Sequence, residues 1–202
     1  MEKVINSIVA AFVQKEIISE EYAEWFRYSL EKRLLTVFIG IPFFIFAIFL
    51  SGIWTAVSFY FSFYFLRSRM SGYHAKSVGV CLFSSLLLEF FFLGVVNTVI
   101  NELFAILIMV TVIALVLFLG PYNHPNMHLS KDEYAVCKKS TQTRSAILSF
   151  IFLIALIMGF KQIVRGITLG SAMAGSLLSV AYIFDWRNKY GRKGNQTKAE
   201  TS

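Results

Sequence analysis

From Leu34 to Leu66 the chain carries no Asp, Glu, Lys or Arg. As one helix this run would be about 50 Å long at ~1.5 Å per residue, against a hydrocarbon core of ~30 Å. It is too apolar for a soluble surface and too long for a single crossing. Ser51-Gly52 stands near its middle and offers a turn, so the run divides into two short spans, 34–50 and 53–66. Three further stretches carry no charge: Leu103–Ser130, Ser145–Phe160 and Gly166–Phe184. A fourth, Val78–Ile100, is interrupted only by Glu89. Charged residues make up 15% of the chain, against about a quarter in soluble domains. A core built from 202 residues cannot hide so many apolar segments. The expected fold is all-α: a polytopic integral membrane protein with about six transmembrane helices, near 34–50, 53–66, 78–100, 103–120, 145–160 and 163–184.

Basic residues concentrate in cytoplasmic loops of membrane proteins. With six spans and both termini cytoplasmic, all but two of the 19 lysines and arginines fall on that side. The exceptions are Lys161 and Arg165. The net charge of +7 is then a topology signal that also suits anionic lipid and an acidic peptide. No nucleic-acid module is visible. The two cysteines, Cys81 and Cys137, fall at or near the reducing side, where a disulfide is not expected. No cleavable signal peptide is visible, because Glu16, Glu20, Glu21 and Glu24 precede the first apolar run.

Three regions follow. Residues 1–33 are amphipathic: Val4, Ile5, Ile8 and Phe12 recur at helical spacing, and a second helix is expected after Ser19, with Tyr22, Trp25, Phe26 and Leu30 on its apolar stripe. Such helices lie in the membrane interface. Residues 34–186 form the membrane domain, with polar loops at 67–77 and 121–144. In the second loop Pro121 and Pro125 break helix, and Ser130 with Glu133 forms a capping box opening a short helix. Residues 187–202 are a basic tail whose composition reads as disordered.

The stretch Arg67-Ser68-Arg69-Met70-Ser71-Gly72-Tyr73-His74-Ala75-Lys76-Ser77-Val78-Gly79-Val80-Cys81 holds the chemistry-bearing residues. On one continuous helix His74 and Cys81 would share a face but stand ~10.5 Å apart along the axis. A thiol and its base need a contact of roughly 3 Å. A catalytic pair therefore requires the helix to begin after His74, with Gly72 giving the loop freedom and Ser77 as N-cap. Cys81 would then lie near the first turn, where the helix dipole and Arg67, Arg69 and Lys76 favour thiolate. Glu89, two turns deeper, is costly inside a span and is expected to pair with Arg165 or a polar group of a neighbouring span. His124 and His128 have metal-like spacing, but Pro125 argues against a helix there, and neither a metal nor another cofactor is expected. Cys137 has no histidine close in sequence.

The 67–81 stretch resembles the accessory gene regulator B (AgrB) family, membrane cysteine endopeptidases of Gram-positive quorum sensing. Arg67, Gly72, Tyr73, His74, Ala75 and Cys81 match the family pattern, in which an arginine precedes Gly-Gly-aromatic-His-Ala and the nucleophile stands seven residues beyond the histidine. Ser71 replaces the first glycine. Pro121-Tyr122-Asn123-His124-Pro125-Asn126 is similar to the family's Pro-x-x-x-Pro-Asn signature. The resemblance implies His74 as general base and Cys81 as nucleophile, supported by Arg67, Gly72, Tyr73 and Ser77. It implies an AgrD-like propeptide as substrate, with an amphipathic leader, a core and an acidic tail. The partners are that propeptide, the lipid bilayer and a second copy of the chain. Two other readings stand beside it. A non-enzymatic small-peptide or solute transporter would depend on Glu89, and an assembly factor would act through the amphipathic N-terminus.

Overall fold

The computed structural model describes residues 2–15, 17–70, 78–122 and 130–200. Every element among them is helical: α1 (Glu2–Gln14), α2 (Glu20–Ser51), α3 (Ile53–Met70), α4 (Val78–Glu89), a π-helical segment (Phe90–Val96), α5 (Asn97–Val99), α6 (Glu102–Leu119), α7 (Lys131–Ile157) and α8 (Lys161–Glu200). Three of the described helical stretches are long and apolar enough to cross a membrane: Glu102–Leu119, Lys131–Ile157 and Lys161–Phe184. Shorter apolar stretches include Gly40–Ser51 and Phe83–Val99. This is an all-α membrane protein.

The chain separates into two compact units, Met1–Phe46 and Ala47–Ser202. In the first, Ile5 and Val9 of α1 are buried, and the Phe12 ring lies 5.4 Å from that of Phe26 in α2. Of the two stripes read from the sequence, Ile5 is buried and Phe12 meets Phe26, while Tyr22 and Trp25 are 60% and 69% exposed. Helix α2 begins directly after Ser19, as expected, but it continues through residue 33 to Ser51. The join near residue 33 carries neither glycine nor proline, and Gly40 and Pro42 farther on stand inside the helix without ending it.

The second unit begins at Ala47, near the end of that helix. Ser51 ends α2, and Gly52 adopts a φ of +81°, which glycine reaches without steric cost. The divided first run is therefore a finding as well as an expectation. Helix α3 buries Thr55, Ser58, Phe59, Ser62, Leu66 and Met70 along one face. That face meets Gly166 and Gly170 of α8 at backbone distance. A Cβ on Gly166 would overlap Ser58 Oγ and the Thr55 carbonyl oxygen, and one on Gly170 would overlap Ser62 Oγ and the Phe59 carbonyl oxygen. Ser62 Oγ also donates across the interface to the Gly166 carbonyl at 3.4 Å. Lipid gives apolar helices no hydrophobic reason to associate, so small residues that let backbones approach become the adhesive surface. Gly166-x-x-x-Gly170 is that motif.

The contacts fix helix directions. Positions rise together along α3 and α8, from Thr55 beside Gly166 to Phe59 and Ser62 beside Gly170. They also rise together along α6 and α8, since Gly175 faces Val112 and Leu115 while Tyr182 Oη donates to the Leu119 carbonyl at 2.7 Å. Helices α3, α6 and α8 run parallel. Helix α7 runs against them: Thr141 and Arg144, in its first half, reach the last turn of α3.

Helix α7 opens on the expected capping box. Ser130 N donates to Glu133 Oε2 at 2.9 Å, and Glu133 N donates to Ser130 Oγ at 3.2 Å. The helix is not short, however. It continues unbroken to Ile157, because residues 131–157 hold no glycine or proline. It ends in a Schellman motif: Gly159 at φ +73° donates to the Leu156 carbonyl at 3.1 Å, and Phe160 donates to the Ala155 carbonyl at 2.9 Å.

Three outcomes are expected. Gly166→Leu should lower unfolding stability in detergent by about 3 kcal/mol, through overpacking against α3 backbone. Gly175→Ala should be neutral or slightly stabilising, since its Cβ would meet Val112 Cγ2 at 3.4 Å and alanine is the better helix former. Ser130→Ala should weaken the start of α7 by about 1 kcal/mol. The hydrogen bonds from the backbone and side chain of Ser130 hold the Glu133 carboxyl below its ordinary value. Its contribution is therefore complete above the usual carboxylate range and lost as pH falls through the lowered value. Amide exchange at residues 131–134, measured against pH in both variants, reads this.

Candidate functional site

Among the sequence-derived site residues, Arg67 lies half-buried in the last turn of α3 and Cys81 lies in the first turn of α4. Gly72, Tyr73, His74 and Ser77 lie outside the described residues, as do the Cys81 side chain and residues 123–129 of the second motif. The flanks of both motif segments are described, and they are held together.

A helix leaves its last carbonyl oxygens without intrahelical partners. At the end of α3 two of these acceptors, the carbonyls of Arg69 and Met70, are met from elsewhere in the fold, and a carbonyl one turn earlier draws a further donor. Arg144 Nη1 donates to the Phe65 carbonyl at 2.8 Å and also to Ser68 Oγ. Its guanidinium lies 5.1 Å from the centre of the Phe65 ring, a cation–π distance. Thr141 Oγ1 lies 3.2 Å from the Arg69 carbonyl. Tyr122 N donates to the Met70 carbonyl at 2.9 Å. A guanidinium at a helix C-terminus is favoured by the dipole and by its fixed fork of donors.

The last of these bonds joins the two motifs. Met70 is the residue before 71–77, and Tyr122 is the residue before 123–129. Both are buried. Tyr182 of α8 secures the second flank, donating through Oη to the carbonyls of Leu119 at 2.7 Å and Pro121 at 3.2 Å. Its ring meets that of Tyr122 edge-on at 5.4 Å. Gly120, at φ +67°, lets the chain turn there, and a Cβ on it would stand 3.0 Å from Tyr134 Oη. The two polar segments thus leave the membrane domain from adjacent points.

Glu89 stands apart from this end. It is only 2% exposed and accepts a hydrogen bond from Tyr60 Oη of α3 at 2.8 Å. Of the two expected partners, the polar group on a neighbouring helix is the one present. The π-helical segment begins at the next residue. Cys137 is a half-buried free thiol on α7. Arg144, Thr141 and Tyr182 were not singled out by sequence. Arg144 has one legible signal: it is the last charge before the apolar run that starts at Ser145.

Removing the Arg144 guanidinium should loosen the last turn of α3. Hydrogen bonds to charged groups contribute about 1.5–3 kcal/mol, so Arg144→Ala is expected to speed amide exchange across residues 66–70 by tenfold or more. Arg144→Lys should recover only part of the protection, because an ammonium lacks the planar fork.

Comparison with known proteins comes down on one family. The family model described as Accessory gene regulator B matches residues 2–180. No curated protein and no solved structure matches the chain. The matched region takes in both motif segments, the glycine interface of α3 and α8 and every flank residue described above except Tyr182. The chain belongs to the accessory gene regulator B family.

Proposed function

We propose that this protein is a membrane cysteine endopeptidase that removes the acidic tail of an AgrD-like propeptide and promotes closure of the core into a thiolactone signal. Family membership carries the coarser part: a membrane-associated role in the accessory gene regulator system, with a peptide as substrate. One structural observation supports the finer part. Cys81 lies on helix α4, described from Val78 to Glu89. With His74 ahead of that helix, the seven-residue spacing would close into a thiol–imidazole pair, and a helix N-terminus near Cys81 would lend positive potential to a thiolate.

In the proposed reaction His74 takes the Cys81 thiol proton, and the thiolate attacks the carbonyl carbon of the amide joining core to tail. Collapse of the tetrahedral intermediate breaks the C–N bond. The tail leaves as an amine, protonated by the imidazolium, and the core remains as a Cys81 thioester. A thiol within the core then attacks that carbonyl. A new thioester closes the ring, and the Cys81 thiol is restored. From one thioester to the next the acyl group stays activated, so neither ATP nor water enters the ring-closing exchange. Arg67 would orient the 71–77 segment or pair with a substrate carboxylate, and Gly72, Tyr73 and Ser77 would shape it.

The proposed topology has six crossings with both termini cytoplasmic. The directions of α3, α6 and α8, parallel to one another and opposed by α7, support it, since they gather Arg67, Arg69, Lys138, Lys139 and Arg144 toward one end of the unit. A newly made propeptide with an acidic tail would meet that basic end. The three-region division at residues 33 and 186 belongs to this reading, as does pairing of two copies.

The test is co-expression with a propeptide, followed by mass spectrometry for free tail and for an acyl adduct on Cys81. Cys81→Ala should abolish both and His74→Gln should reduce both at least a hundredfold, whereas Cys137→Ala should leave them unchanged. Undiminished tail release by Cys81→Ala would overturn the assignment. A transporter would instead lose function with Glu89→Gln and form no adduct.

A further inference from the structure

We propose that the end of the membrane domain away from the motif segments holds the phosphate headgroup of an anionic phospholipid. This rests on the membrane reading of the chain and is independent of its peptidase chemistry. A cavity of about 370 Å³ lies between the start of α6, the α7–α8 turn and the start of α8, within the size range of ligand pockets. Ile100, Leu103, Leu156 and Val164 form apolar walls, and Asn101, Glu102, Lys161 and Arg165 are its polar lining.

The charges in that lining do not balance. Lys161 Nζ lies 3.2 Å from Glu102 Oε1, so those two compensate each other. Arg165 is half-buried, and no described residue offers it an acceptor. A guanidinium partly withdrawn from water beside apolar walls is costly unless an anion meets it. The sequence supplies a second, independent observation. Lys161 and Arg165 are the two basic residues that break the charge asymmetry of the chain, and both line this one cavity. The N-termini of α6 and α8 also open here, adding the positive ends of two helix dipoles.

Depth and rim favour a lipid over a soluble anion. Arg165 stands about 25 Å along α8 from Tyr182 at the basic end, at ~1.5 Å per residue, close to the thickness of the hydrocarbon layer. Trp54 and Phe160 line a second cavity that shares Gly159 and Lys161, and a tryptophan belongs at headgroup level. Leu103, part of the cavity lining, is 64% exposed, a surface that suits an acyl chain. Arg165 would donate to the phosphate oxygens through two N–H groups, and Lys161 would use a donor left over from Glu102.

The experiment uses the full chain in neutral detergent, stripped of lipid and titrated with phosphatidylglycerol, phosphatidylcholine, inorganic phosphate or a short peptide with a free carboxylate. Native mass spectrometry counts bound lipid, and thermal unfolding reads stabilisation. One phosphatidylglycerol should bind at least tenfold more tightly than phosphatidylcholine. Arg165→Gln should remove that preference while keeping native helix content, and Lys161→Gln should weaken it a few-fold. Should Arg165→Gln fail to fold, Leu103→Trp fills the cavity from its rim and should cause the same loss. Equal phosphatidylglycerol binding by the folded variant and the wild type would overturn the proposal. So would displacement of the lipid by the peptide, which would make this a peptide site, or by equimolar inorganic phosphate, which would make it a site for soluble phosphate.

Discussion

The backbone contact between α3 and α8 is the constraint on which the second unit depends. Gly166 and Gly170 remove the side chains that would hold two helices apart, and Ser58 and Ser62 face the space they leave. At that separation the attraction comes from close-packed atoms and from polar groups satisfied at short range. It acts in lipid, where burial of leucine or phenylalanine against a neighbour brings little advantage over burial in acyl chains. Because the contact runs parallel, it also puts like ends of α3 and α8 side by side, and the positions of α6 and α7 follow from it.

Those ends have different chemistry. At one, the orphan carbonyls of α3 draw donors from α7 and from the chain after α6, and two polar segments distant in sequence begin next to each other. At the other, α6, α7 and α8 leave a cavity with an uncompensated guanidinium. The bundle keeps these chemistries apart because each helix carries its own charges to one side or the other. Glu89 lies between the ends, and the Tyr60 hydroxyl supplies the partner that an intramembrane carboxyl requires.

Local chemistry was legible before the fold. The turn at Gly52, the start of α2 after Ser19 and the Ser130–Glu133 box each rest on residues within a few positions of one another, and each is found where its pattern indicates. The joins were less legible. Residues 20–33 and 131–144 look like separate polar helices, yet each continues into an apolar one, because a change of hydropathy does not by itself end a helix. The glycine pair of α8 could have been recognised from its spacing alone.

Sequence by itself determined that the chain is an all-α membrane protein, since uncharged runs of this length are compatible with little else. Through its matching motif residues it also indicated the family and the candidate pair His74 and Cys81. Only the tertiary structure decided which helices run together, that Arg144 and Thr141 close the end of α3, that Met70 and Tyr122 join the two motif flanks, and that Tyr60 rather than Arg165 meets Glu89. The reason is physical. Hydropathy and capping are properties of neighbours along the chain, whereas a hydrogen bond between residues 52 positions apart exists only after packing has brought them within 2.9 Å.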